Sequence, residues 1–83
     1  MKVYREDQEL RKAIENLKTF GFSYLGRGYQ FNIVNFTNAD AERSAVFQRD
    51  GQMFAYLIDS HSSQLSPLRK NADGAYVFEG LPS

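Results

Sequence analysis

The dipeptide Asp50–Gly51, set between two apolar runs, constrains this chain more than any other feature. Ala45-Val46-Phe47-Gln48-Arg49 precedes it and Gln52-Met53-Phe54-Ala55-Tyr56-Leu57-Ile58 follows it. Asp-Gly favours a type I′ turn, because both central residues need positive φ, and that turn suits the twist of a two-residue hairpin. In that register Phe47 faces Phe54 and Ala45 faces Tyr56. The competing reading starts a helix at Thr37 or Asn38, carries it through Ala39-Asp40-Ala41-Glu42 to Arg49, and stops it at Gly51. The hairpin is preferred, with one helical turn around 38–42 before it.

Upstream, Leu10, Ala13, Ile14, Leu17 and Phe20 recur at helical spacing and form one apolar stripe. Glu6, Asp7 and Glu9 sit where a first turn would meet the positive end of the helix dipole, and Lys18 lies near the other end. Gly21 is placed to be the left-handed residue after the last turn. The pattern predicts a helix at about 6–19, with Arg11 and Glu15 one turn apart on its outer face and able to pair.

Phe22-Ser23-Tyr24-Leu25 reads as a first strand and Gly26-Arg27-Gly28 as a tight reversal, with Arg27 at its tip free to meet an anion or a carboxylate. Tyr29-Gln30-Phe31-Asn32-Ile33 alternates apolar and polar, which predicts a second, half-buried strand whose apolar side faces the core. The phase slips at Ile33-Val34, where a bulge or the strand's end is expected. Residues 60–74 are polar and read as a long loop, with Ser66-Pro67 able to start a short helical turn. Asn71-Ala72-Asp73-Gly74 is a turn, 75–79 a last short strand, and 80–83 a loose tail.

A chain of 83 residues makes one domain, and such a chain buries roughly 60% of its unfolded surface. No cysteine is present to staple it, while a hydrophobic content of 42% suits a packed core and not a disordered chain. No apolar run near the start has the length of a secretory signal and none approaches a membrane span, so no membrane role is expected and the cytoplasm is the expected compartment.

Lys+Arg and Asp+Glu are 10 each, giving a formal net charge of zero. That balance removes the long-range attraction behind most phosphate binding and argues against nucleic acid. Aromatic Tyr24, Tyr29 and Phe31 beside Arg27 keep an RNA- or DNA-binding module, or a nuclease-like toxin, as the alternative, as does the local basic pair Arg69-Lys70.

Catalytic chemistry finds little to stand on. Asp59-Ser60-His61-Ser62-Ser63 holds the three residue types of a hydrolase triad, but neighbours on an extended segment point apart, and no Gly-x-Ser-x-Gly elbow occurs. His61 is the only histidine, and without cysteine no metal-ligand spacing recurs, so neither metal nor cofactor is expected. The carboxylate groups Glu6/Asp7/Glu9 and Asp40/Glu42 fall in segments expected to be exposed, where a pKa is not tuned for catalysis. Gly26-Arg27-Gly28 lacks the Gly-Lys-Ser/Thr sequel and the following helix of a phosphate loop.

Over residues 10–31, a helix ending in Gly21-Phe22, a strand, a glycine-containing turn and an aromatic strand resemble the start of the HicA-type mRNA interferase toxins. The resemblance implies a catalytic histidine just after the glycine of the second strand. Gly28 is followed here by Tyr29-Gln30, so the resemblance is one of topology and not of activity. In general style, a compact neutral chain of this kind also resembles phage, plasmid or integron accessory proteins.

The expected fold is α+β, with an N-terminal helix packed on an antiparallel sheet of four to five strands. The expected function is a non-enzymatic protein-binding module: an inhibitor, adaptor or regulator working with a protein partner or as a homodimer. The 45–58 hairpin is apolar on both faces and one helix covers only one. The aromatic side is therefore assigned to the core and the Val46/Met53/Leu57 side to a partner, with Tyr24 and Arg27 as further contacts. The alternative cover for that second face is the 60–74 loop, with Leu65 and Leu68 as plugs.

Overall fold

The computed structural model describes residues 5–58 and 63–78. His61 and the rest of 59–62 lie outside the described residues, as do 1–4 and 79–83. The chain runs α1 (Arg5–Thr19), β1 (Ser23–Arg27), a 3-10 turn (Gly28–Gln30), α2 (Asn38–Glu42), β2 (Ser44–Arg49), β3 (Gln52–Ile58), β4 (Ser63–Lys70) and β5 (Tyr76–Phe78). The five strands form one antiparallel meander in the order β1-β2-β3-β4-β5. The α+β expectation holds.

The hairpin turns where the sequence places it. Asp50 and Gly51 have φ of 54° and 80°, and Phe47 pairs with Phe54 and Ala45 with Tyr56. α2 is the single turn before it, and Thr37 and Asp40 exchange hydrogen bonds as a capping box. α1 ends in a Schellman motif. The Phe22 amide donates to the Leu17 carbonyl and the Gly21 amide to that of Lys18, with Gly21 at φ 92°. That motif separates two phenylalanines. Phe22 turns in against Leu17 and the sheet, whereas Phe20, expected on the buried stripe, is 69% exposed. Glu15 pairs with Lys18 at 3.6 Å and not with Arg11; both partners are exposed, so the pair adds little.

Each face of the sheet carries its own core. Under α1, Leu10, Ala45, Phe47 and Ile58 are buried, with Ile14, Leu17, Phe22, Tyr24, Tyr56 and Leu65 packed around them. The Phe22 ring meets those of Phe47 and Phe54 edge-on at 6.3 and 5.3 Å. On the opposite face Ile33, Val46, Ala55 and Leu68 are buried, and Phe31, Phe36, Met53, Tyr76 and Phe78 close over them.

The cover of that second face corrects two sequence expectations. Residues 29–33 are not a strand. From Gly28 the chain makes a 3-10 turn and then crosses the sheet as an irregular strap, with Asn32 and Asn35 at φ 50° and 75°. Asparagine tolerates left-handed φ, and two such residues within four positions end any extended run. Phe31 and Ile33 do point inward, but onto the far face from α1. The strap reaches β5, where Val34 makes a parallel bridge to Val77: its amide donates to the Tyr76 carbonyl at 2.8 Å, and its carbonyl accepts from the Phe78 amide at 3.2 Å.

Residues 63–70, expected as loop with a helical turn at Ser66-Pro67, are strand β4. Pro67 lies at the end of the β3 pairing, opposite Phe54, and one residue before the β5 pairing begins at Leu68. A missing amide is tolerated at such a junction. Leu65 and Leu68 accordingly pack on opposite faces as strand residues, not as plugs from a loop.

Candidate functional site

Val46 is fully buried, Leu57 is 7% exposed, and Met53 is half-buried against the second core. The assignment of Val46, Met53 and Leu57 to a partner-facing surface is therefore corrected: the strap and β5 cover that face. The apolar face did need a cover, and the chain supplies its own.

Tyr24 and Arg27 stand on β1, both turned inward. The Tyr24 ring packs on Phe47 at 5.6 Å within the α1-side core. The Arg27 guanidinium is not free at a turn tip. Its Nη2 donates to the Glu42 carbonyl and its Nε to that of Ser44 at 3.3 Å, so it clasps the end of α2 and the start of β2. A cation at the C-terminal end of a helix is favoured there by hydrogen bonding and by the local dipole. Arg49 acts similarly on α1. Its Nη1 donates to the Phe20 carbonyl at 3.2 Å, and its guanidinium lies 4.5 Å from the centre of the Phe22 ring.

Among the described residues four large hydrophobic side chains are exposed: Phe20 at 69%, Tyr29 at 58%, Leu25 at 42% and Val34 at 38%. Three of them lie on or beside β1. Phe20 precedes the strand, Leu25 is within it, and Tyr29 follows it. Leu25 owes its exposure to a β-bulge, since Tyr24 and Gly26 pair with the adjacent Phe47 and Val46 and leave Leu25 as the extra residue. Tyr29 stands out from the 3-10 turn with the Arg27 guanidinium 5.9 Å from its ring centre.

β1 is also an edge strand, and the two edges of the sheet are finished differently. At β5 the outward groups of Tyr76 and Phe78 are taken by Val34, and the Asn35 Nδ2 donates to the Phe78 carbonyl at 3.2 Å. At β1 no strand among the described residues follows on the outer side. The backbone there is covered only in part, where the Arg27 amide donates to Gln30 Oε1 at 3.0 Å.

Sequence reasoning reached this strip through Tyr24 and Arg27, two residues that turn in, named Tyr29 only for the nucleic-acid alternative and on the core side of a strand, and missed that Phe20, Leu25 and Tyr29 turn out. The available signal was the pair of glycines around Arg27: Gly26 and Gly28 are both buried against neighbouring chain, and Leu25 and Tyr29 beside them are exposed. Among the described residues no group of three or more His, Cys, Asp or Glu could hold a metal ion, and no helix is long and apolar enough to cross a membrane.

No protein-family model, curated protein or solved structure matches this chain. The topological resemblance to the HicA-type toxins stops at Gly28, because the aromatic strand it requires is the strap.

Proposed function

We propose that this chain is a non-enzymatic protein-binding module, an inhibitor, adaptor or regulator that meets a protein partner or a second copy along the outer edge of β1. The observation that carries the reading is the strip Phe20–Leu25–Tyr29 beside the open edge of the sheet. Exposed aromatic and aliphatic side chains set along one sheet edge are material for an interface core. Arg27, the cation beside the strip, already donates to the carbonyls of Glu42 and Ser44. With a net charge of zero, this favours a protein over a nucleic acid.

The test is a photo-crosslinking amino acid placed in turn at Leu25, at Tyr29 and at exposed Glu9 on α1, followed by irradiation in the native cell. Discrete protein adducts from positions 25 and 29, absent from position 9 and lost when Phe20→Ser is added, are expected. Nuclease-sensitive adducts would transfer the reading to a nucleic-acid module. The same adducts from position 9 would remove the strip as the site.

A further inference from the structure

The chain contains two Asp–Gly pairs, Asp50–Gly51 and Asp73–Gly74, both in exposed turns between strands. An aspartyl carboxyl followed by glycine can cyclise, because glycine has no side chain to hinder attack by its own amide nitrogen. The two pairs differ in what their backbone amides are doing. The Gly74 amide donates to the Asn71 carbonyl at 3.0 Å. The Asp73 and Ala75 amides both donate to Asn71 Oδ1, at 2.9 and 3.0 Å, so that turn is tied on either side of the reacting bond. The Gly51 amide has no hydrogen-bond acceptor among the described residues. The Asp50 side chain is 89% exposed, held only by a 3.7 Å contact to Arg49 Nε, and nothing lies within 4 Å of where a Gly51 side chain would begin.

We propose that Asp50–Gly51 is a site of spontaneous rearrangement to isoaspartate in the folded protein, and that the fold shields Asp73–Gly74 from the same reaction. The Gly51 nitrogen attacks Cγ of the protonated Asp50 carboxyl. A C–N bond forms, a C–O bond breaks, water leaves, and the amide proton passes to solvent. The resulting five-membered imide is opened by water at either carbonyl. Opening at the original main-chain carbonyl leaves the backbone running through Cβ and Cγ of residue 50. Atoms balance with water alone, and the final mass is unchanged.

The product matters because the turn sets the register of the central hairpin. Arg49 pairs with Gln52 across two residues, and every pair from there to Ser44–Leu57 follows. An added methylene in a two-residue turn no longer fits positive φ at both positions. A protein rearranged at residue 50 therefore unfolds at a lower temperature than fresh protein.

Folded protein is incubated at physiological temperature in water labelled with heavy oxygen, digested, and its two Asp–Gly peptides are read by fragmentation that distinguishes isoaspartate. Label and isoaspartate are expected several-fold more at residue 50 than at residue 73. In denaturant the two sites should react at equal rates. Asn71→Ala should raise the rate at residue 73 and leave residue 50 unchanged. Equal rates in the folded protein, no rearrangement at residue 50, or the same excess at residue 50 in the unfolded chain would each overturn the proposal. An unchanged rate at residue 73 in folded Asn71→Ala would remove the shielding.

Discussion

Replacing Gly28 with alanine tests whether the strap is docked on the chain's own sheet. Gly28 is buried where the chain leaves β1. A Cβ added there would lie 1.7 Å from Ser44 Oγ, 3.0 Å from Ser44 Cβ and 3.1 Å from the Ala41 carbonyl oxygen. The Ser44 hydroxyl, which donates to Ala41 O at 3.2 Å, must rotate away. That loses a hydrogen bond in a site with no exposure and leaves a buried polar atom unmet, at about 1–3 kcal/mol. The remaining contacts involve Ser44 Cβ and backbone, which yield only if the strap shifts, and overpacking of this kind costs about 1–3 kcal/mol. Gly28→Ala should therefore destabilise by about 2–6 kcal/mol. At ~4–8 °C per kcal/mol for a domain of this size, Tm should fall by at least ~8 °C. Urea unfolding followed by circular dichroism reads the change as a shifted midpoint with an unchanged slope. Ser44→Gly removes the two nearest contacts, so the double variant should recover at least ~1 kcal/mol relative to additivity. A Gly28→Ala protein within ~0.5 kcal/mol of wild type, or a cycle that adds with no coupling, would refute the docking of the strap on β2.

Two buried serines on the strap-covered face should respond with opposite signs. Ser66 Oγ has no hydrogen-bond partner among the described residues and its residue is 1% exposed, so Ser66→Ala should be neutral or stabilising by up to ~1 kcal/mol, whereas Ser44→Ala should cost about 1 kcal/mol in the same urea titration. Gly51→Val places a β-branched residue at φ 80° and should cost on the order of 1–2 kcal/mol in thermal stability; an unchanged Tm would contradict the turn geometry. Val46→Lys should unfold the protein and not merely change its association state, since it sets a charge in a fully buried site. A folded Val46→Lys monomer, seen by sedimentation with native circular dichroism, would show that the face is not core. Gln30→Ala releases the Arg27 amide at the open edge and should raise self-association measured by sedimentation equilibrium; no change would mean that Gln30 does not guard the edge.

The parts of the fold that were legible are those fixed within a few residues. The helix stop at Gly21, the helical turn at 38–42, for which Thr37 and Asn38 are both candidate caps, and the Asp50–Gly51 turn each depend on hydrogen bonds or φ values internal to one short window. The strap was not legible for the opposite reason. Over residues 30–33 the side chains do alternate, Phe31 half-buried and Ile33 buried beside exposed Gln30 and Asn32, while Tyr29, in the same phase as Phe31 and Ile33, is exposed. Alternation, however, records which side is buried and not whether the backbone has a hydrogen-bonded neighbour. What prevents a strand is the close approach of Gly28 to Ser44 and the two left-handed asparagines, and the first of these joins positions sixteen apart. β4 was missed through Pro67, read as a turn former. Its harmlessness depends on where the β3 ladder ends and the β5 ladder begins, and the Gln52 Nε2 donates to the Leu68 carbonyl at 2.9 Å beside that junction. Neither fact is visible in the segment itself.

The same long-range arrangement decides what the open edge can offer a partner. Regular strand addition needs a row of outward amides and carbonyls on a flat edge. At β1 the bulge at Leu25 interrupts that row, and Gln30 already satisfies the Arg27 amide, so the edge is poor as a template for another strand. The bulge that spoils the backbone row is also what turns Leu25 outward, with Phe20 displaced beyond the helix stop and Tyr29 lifted by the 3-10 turn on either side. An edge built in this way would be read through side chains more than through main-chain hydrogen bonds. A partner using it would be sensitive to the identity of Leu25 and Tyr29, whereas strand addition tolerates wide sequence variation because its bonds are to the backbone.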